Sequence, residues 1–416
     1  MKTTHALTVI MLTAGTCVTL AGEKSEITIP EKTNSRSFIE SLNPFVNARL
    51  RYEYADLAGT NDATLGSLRT YFGIKTDSIH GFKFLAEGEH TWVLTNTSRY
   101  TAFPGFPNNG RSVIADPDNF ELNRLQLSYE AEGIDTTVTV GRQHIKFADE
   151  RFIGAIGWRQ NDETYDAVVL ENKSITDLHV TYAFINQVNR IFGDDAPARA
   201  LDRWEGESHL IHLEYEGLEN HTLRAFAYLL DFDRTAAGRA NSSDTYGIEL
   251  QGQRELSSGS KLNYLLTAAS QTDGSSNPAN YNEFYYRAQL GVENDVVHYG
   301  AGVEVLTSDG VSSFRFPLGT NHPFNGFADA FVTTPATGLV DYYTWIGTKA
   351  FGFKHKLIAH QFNSESGSIR YGWEIDYVAV RPISENAKVV LKAAHLDGKG
   401  AQRDTTRASA EINYSF

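Results

Sequence analysis

From Asn43 almost to its last residue the chain alternates apolar and polar side chains. "NPFVNARLRYEY" sets Val46, Ala48, Leu50 and Tyr52 against Asn47, Arg49, Arg51 and Glu53. "YNEFYYRAQLGVEN" sets Phe284, Tyr286, Ala288, Leu290 and Val292 against Glu283, Tyr285, Arg287, Gln289 and Glu293. "SIRYGWEIDYVAV" sets Ile369, Tyr371, Trp373, Ile375 and Tyr377 against Arg370, Gly372, Glu374 and Asp376. A period of two puts each set on one face of a strand, and a helix cannot keep it. One face is apolar and the other wet, repeated in about eighteen segments, an even number as a single-chain outer-membrane barrel requires.

The segments are expected near 44–54, 66–76, 81–94, 120–130, 135–145, 163–171, 177–186, 208–216, 221–231, 244–254, 261–271, 282–293, 296–306, 339–348, 353–362, 369–381, 387–396 and 405–416. Alternate links are short: "TDSIH", "AEGID", "ENKSITD", "GLEN", "ELSSGS", "ND", "KAFG" and "PISEN". Those between are mostly longer: 95–119, 146–162, 187–207, 232–243, 272–281 and 307–338. The expected fold is an all-β, transmembrane antiparallel β-barrel of about 18 strands with short periplasmic turns and long extracellular loops. Prolines fall in the long loops or at strand ends, where no ladder donor is lost. The last strand, "RASAEINYSF", carries Ala408, Ala410, Ile412, Tyr414 and the terminal Phe416 on one face, a signal of the kind read by the barrel assembly machinery.

Residues 1–21 read as a signal peptide, with basic Lys2, an apolar stretch from Ala6 to Leu20 and small residues before Gly22. The expected division is 1–21 leader, 22–43 N-terminal periplasmic segment and 44–416 barrel in the bacterial outer membrane, with lipid around its wall. Cys17, Met1 and Met11 would leave with the leader, which excludes disulfides and thiolate chemistry in what remains. No long apolar run follows, so a helical membrane protein is excluded. With 37 basic against 51 acidic residues and a net charge of −14, a nucleic-acid footprint is absent.

Catalysis is the reading from another class. The chain has neither a GxSxG elbow nor an HExxH pair, and His209, His298, His355 and His360 lie in or near strands as structural or interfacial groups. A channel without enzymatic activity or cofactor is expected. Asp116 and Asp118, and Asp194 and Asp195, read as solvated loop acids, with a calcium site as the alternative. Tyr52, Tyr54, Trp92, Trp345 and Trp373 read as membrane-interface girdles. The wet face carries Arg49, Arg51, Arg69, Lys75, Arg124, Arg287, Arg370, Lys388, Lys392 and Arg407 with Glu87, Glu89, Asp166, Glu283, Glu374, Asp376 and Glu411. Such charges pair across strands or meet a carboxylate on a passing solute.

One stretch concentrates charge, glycine and a tryptophan: "GRQHIKFADERFIGAIGWRQNDETYDAVV", Gly141 to Val169. It leaves one strand and re-enters the next, so it is a loop on the long-loop side, able to fold inward and narrow a pore. Gly154 and Gly157 would permit its turns. The stretch resembles the central motif of the alginate export family of outer-membrane porins. The resemblance continues through "YAFINQVNRIFGDDAP", "AYLLDFDR" with "TYGIEL", and "PLGTNHPFNGFADAFVTTPATGLVDYY", to Tyr343. It implies passive transport of an anionic poly- or oligosaccharide through an arginine-bearing constriction, with a general diffusion porin for small nutrients as the alternative. Carried over, Arg142, Arg151 and Arg159 would face the solute or brace the loop, with Asp149, Glu150 and Asp162 positioning them. Arg49, Arg51, Arg69, Arg124, Asp166, Arg287 and Arg370 complete the expected pore lining. Parity with Val138 and Val140 would turn Arg142 outward, unless a bulge at Gly141 shifts the register.

Overall fold

A computed structural model describes residues 38–105, 109–274 and 276–416. The expected leader, and most of the segment before the barrel, lie outside these residues. A single 3-10 turn, Ile39–Ser41, leads into the first strand. Eighteen strands follow. They are β1 (Leu42–Leu57), β2 (Ala63–Thr76), β3 (Phe82–Val93), β4 (Asn119–Ala131), β5 (Thr136–Gln143) and β6 (Thr164–Ile175). Next come β7 (Leu178–Asn189), β8 (Arg203–Leu218), β9 (His221–Leu230), β10 (Ser243–Glu255), β11 (Lys261–Asp273) and β12 (Asn282–Glu293). The last are β13 (Val297–Leu306), β14 (Leu339–Ala350), β15 (Phe353–Asn363), β16 (Arg370–Pro382), β17 (Ala387–Gly398) and β18 (Thr405–Ser415).

Each strand pairs antiparallel with its sequence neighbours, and β18 returns to β1 from Asn47↔Ser415 to Leu57↔Thr405. The sheet is therefore closed, which satisfies every ladder group without an edge. Phe416 completes the seam with its backbone: its N–H donates to Val46 O at 2.9 Å and its carbonyl accepts from Val46 N at 3.2 Å. The period-two pattern explains the two surfaces. Leu50, Phe72, Leu127, Val140, Ile248, Leu290 and Ile346 are exposed on the outside, while Ser67, Glu87, Thr139, Glu249, Glu304 and Asp376 are buried within.

Local irregularities change the register at several places, two of which bear on the lumen. In β4 a register shift opposite Glu87 and Gly88 brings two consecutive residues onto one carboxylate. Asn123 reaches Glu87 Oε1 at 3.0 Å, and Arg124 forms two bonds to it at 2.7 Å. In β16 the shift at Phe362/Asn363 accompanies Gly372 at φ +136°, where a Cβ would stand 2.2 Å from Asp397 O. Tyr371, expected beside Trp373 on the apolar face, is buried inside with its hydroxyl on Gly338 O, and Arg370 is exposed at the strand's outer end. Finally, Trp345 is not a girdle residue: it shares the inward parity of Asp341 and Tyr343 and lies over Gly300.

Candidate pore constriction

Residues 144–163, between β5 and β6, fold into the lumen and touch its wall in three sectors. The loop is rooted at β5 and β6; Asp149 and Arg151 reach Arg287 on β12 and Glu304 on β13; Gly157 to Arg159 lie against Arg49 and Glu53 on β1. In the closed order of strands these sectors lie well apart around the ring, so the loop crosses the lumen. The second long loop, 307–338, joins it. Ile153 bridges Leu318 in parallel, Gly154 N donates to Leu318 O at 2.8 Å, and Thr320 N donates to Glu150 O at 2.9 Å. Phe152 anchors both, packing on Phe226, Tyr285, Phe314 and Phe316.

The turns are not made as the glycines suggested. Positive φ falls on Ala148, Glu150 and Ile156. Gly154 is required by close approach, since a Cβ there would meet Thr320 Oγ1 at 2.3 Å, whereas Gly157 has open space around it.

The arginines of this layer are saturated with partners. Arg151, 3% exposed, donates through Nε to Glu304 at 2.7 Å, through Nη1 to Asn321 at 3.1 Å and through Nη2 to Asn325 at 2.7 Å. Its plane also lies 3.8 Å from the Phe316 centroid. Asn325 in turn donates to Glu304 Oε2 at 2.6 Å and Asp341 at 3.2 Å. Arg159 meets Asp329 at 3.0 Å, Glu53 at 3.4 Å and Asp116 at 3.8 Å. Burial opposes its charge, but Glu53, Asp116 and Asp329 outweigh this and hold its pKa above the ordinary value. Arg51, 1% exposed, lies 3.0 Å from Glu411 and 3.2 Å from Asp116, with its guanidinium 4.2 Å from the Trp158 centroid. Asp116 is thus a buried counter-ion rather than a solvated loop acid. Arg49 donates to the carbonyls of Gly157 at 2.9 Å, Arg159 at 3.1 Å and Trp158 at 3.2 Å. Buried pairs of this kind are strongly destabilised by loss of one partner.

The remaining expected lining residues divide. Arg287 holds Asp149, Glu150 lies 3.3 Å from Lys146 and 2.9 Å from Thr320 Oγ1, and Arg124 is bound to Glu87. Arg142 keeps the parity of Val140 and makes a two-pronged pair, 2.7 and 3.1 Å, with Asp166 directly across at the outer ends of β5 and β6. Asp166 accordingly shares the parity of Val168 rather than the wet face of its strand. Arg69 differs from all of these: it stands directly across from Arg49, donates to Tyr71 OH at 3.1 Å, and leaves its buried Nε without a partner. Among the described residues no carboxylate lies within ion-pair distance of it.

Sequence reasoning missed the groups supplied by the second loop. His322 stacks on Trp158 at 3.7 Å and 2°, bonds Asp329 at 2.7 Å, and meets Lys392 at 3.0 Å. Burial first, then Lys392, holds its pKa down at about 3, so it is neutral. Its signal lay in the block "NHPFNGFADAF", within the stretch that carried the family resemblance. Asp162 has His144 Nε2 at 2.9 Å, out of line for a hydrogen bond. Burial raises its pKa, but His144 and Arg69 outweigh this and keep it well below the usual carboxylate range. Glu163 is pushed up to about 7 by burial, which Arg190 and the Tyr165 hydroxyl only partly oppose.

A closed antiparallel barrel of eighteen strands, crossed by two inward loops, has the architecture of an outer-membrane porin, and the class of this protein is an outer-membrane channel. Residues 94–296 match the family model described as alginate export, which bears out the likeness read from Gly141 as far as residue 296. No curated protein matches the chain. Among solved structures it is similar to Pseudomonas aeruginosa OccK9 (OpdG), at TM-score 0.72 and 13% identity, covering 92% of this chain and 100% of that one. It is similar to Pseudomonas aeruginosa OpdK with vanillate, at TM-score 0.70 and 10% identity, covering 91% and 100%. Acinetobacter baumannii OccAB2 gives TM-score 0.70 and 12% identity, covering 92% and 99%. At these identities the likeness is one of fold.

Proposed function

We propose that this channel passes anionic saccharides of oligomer length by diffusion through the passage that the two inward loops narrow. The observation that carries the reading is the cross-strand pair Arg49 and Arg69. Like charges directly opposite on a sheet destabilise it, and Arg69 has no carboxylate within ion-pair distance among the described residues, while Glu89 and Asp162 act on it from farther off. The field of a guanidinium favours a carboxylate and is strong where water is scarce. The alginate export match over residues 94–296 supports the same solute class. In a planar bilayer under a KCl gradient, wild type is expected to favour anions and to be blocked by oligouronates. Arg69→Gln should move the reversal potential towards cations and weaken that block several-fold. Equal selectivity and block in a folded Arg69→Gln channel would defeat the proposal.

A second reading, a porin for small carboxylates, has one observation in its favour: the similar OpdK was solved with vanillate, an aromatic carboxylate. Flux of vanillate without any oligouronate block would select it.

A further inference from the structure

The lumen wall on β12 to β15 carries side chains that the constriction leaves unused. Inward positions there include Gly291, Gly300, Gly302 and Gly347, and in the register Gly300 faces Trp345, Gly302 faces Tyr343 and Gly347 faces His298. An ideal Cβ would stand 2.2 Å from Trp345 Cζ2 at Gly300, 2.4 Å from Tyr343 Cζ at Gly302, and 1.9 Å from His298 Nε2 at Gly347. Side chains in a sheet ordinarily stand away from it. These rings instead lie down along the wall, against the backbone of the neighbouring strand, and Tyr343, Trp345 and His298 remain only partly buried.

Their order makes a continuous track. Tyr343 and Trp345 have centroids 6.0 Å apart at 28°, and Tyr343 continues to His360 at 5.7 Å. Polar groups flank it: Tyr343 OH donates to Gln289 Oε1 at 3.0 Å, Arg287 Nη2 lies 3.5 Å from the same oxygen, and Lys356 Nζ is 5.5 Å from the Trp345 centroid. Trp345 and Gly300 sit nearer the short turns 294–296 and 351–352 than the Arg287 to Asp149 contact does. The track therefore begins where the constriction ends.

We propose that this track is a saccharide subsite: the faces of Trp345 and Tyr343 take the C–H faces of pyranose rings, while Gln289 and Lys356 meet hydroxyl and carboxylate oxygens. Flat rings beside a few placed polar groups are what such recognition needs. The inference rests on the proposed solute class for the charge of the sugar, but not for the stacking.

The test is single-channel block by oligouronates and, separately, by neutral maltooligosaccharides, in wild type, Trp345→Ala, Trp345→Phe and Lys356→Gln. Folding of each is checked by heat-modifiable migration. Trp345→Ala is expected to shorten the residence time of both sugars about tenfold. Trp345→Phe should shorten both less, and Lys356→Gln should affect the oligouronate alone. Wild-type residence times in folded Trp345→Ala would overturn the subsite. If that variant fails to fold, unchanged times in both Trp345→Phe and Lys356→Gln would do so. Block of wild type by the neutral sugar only, lost with Trp345, keeps the subsite and defeats the anionic reading. Absence of block by either sugar overturns the subsite.

Discussion

Arg151 shows how a charge expected to face a solute can serve a loop instead. All three guanidinium nitrogens have partners on a different element, Glu304 on β13 and Asn321 and Asn325 in the second loop. Arg151→Gln is expected to lower stability by on the order of 3 kcal/mol and to make the open channel noisier, because Glu304 loses its charged partner in a buried setting. Adding Glu304→Gln should recover part of that loss in a heat-unfolding double-mutant cycle; strict additivity would mean that the pair is not coupled. Glu163 gives a pH dependence with a definite sign. Its folded pKa is raised to about 7 from 4.5, so the folded state holds a proton that the unfolded chain releases. The contribution to stability is full below about pH 4.5 and is lost as pH rises through about 7. Glu163→Gln should therefore flatten the fall in stability between pH 5 and 8, measured as the heat-unfolding midpoint across that range. An unchanged slope would show that the carboxyl is ionised throughout.

At the scale of elements, the seam between β1 and β18 and the pair of inward loops carry different loads. Closure is made by the pairs from Asn47↔Ser415 to Leu57↔Thr405, and Phe416 extends the seam by exchanging both hydrogen bonds with Val46. Its side chain, with Ile412 and Tyr414, adds exposed apolar surface on the lipid side. Deleting Phe416 is expected to reduce the heat-modifiable folded form in membranes by several-fold, scored on gels of unheated samples. Wild-type yield would remove the closing strand's terminus as an assembly determinant. The inward loops need no such ladder. They are held by side chains from β1, β12, β13 and β16, with Glu374 accepting from Ala328 N at 2.7 Å and Asp376 from Phe327 N at 3.1 Å.

For the whole molecule, the alternation of short turns and long loops sets the orientation in the membrane. Val311, 79% exposed, and the exposed Arg234 lie on the long-loop side, while Phe351, 93% exposed, lies at a short turn. Single cysteines at Val311 and Arg234 should react with an impermeant reagent on intact cells, and one at Phe351 only after the outer membrane is opened. The reverse pattern would invert the topology. Positions such as Thr334 would serve poorly, since it is buried although its loop is on the outer side.

The barrel was legible in the sequence because a closed sheet between lipid and water imposes a strictly local rule. Each residue faces one medium or the other, so alternation, short turns and a terminal aromatic strand were enough to place all eighteen strands within a few residues. The rule misleads where a bulge shifts parity, as at Tyr371, and where an inward aromatic lies flat on the wall, as at Trp345, because neither is a property of one strand alone. The location of the motif loop was legible too, from its charge and its place between β5 and β6. What its arginines do was not. Whether Arg151 meets a solute or Glu304 depends on residues 153 and 174 positions away, and whether Arg69 faces another charge depends on its register against Arg49. Those pairings arise when two loops fold into a shared lumen, where burial makes every unmatched charge costly and only the tertiary structure decides which are matched.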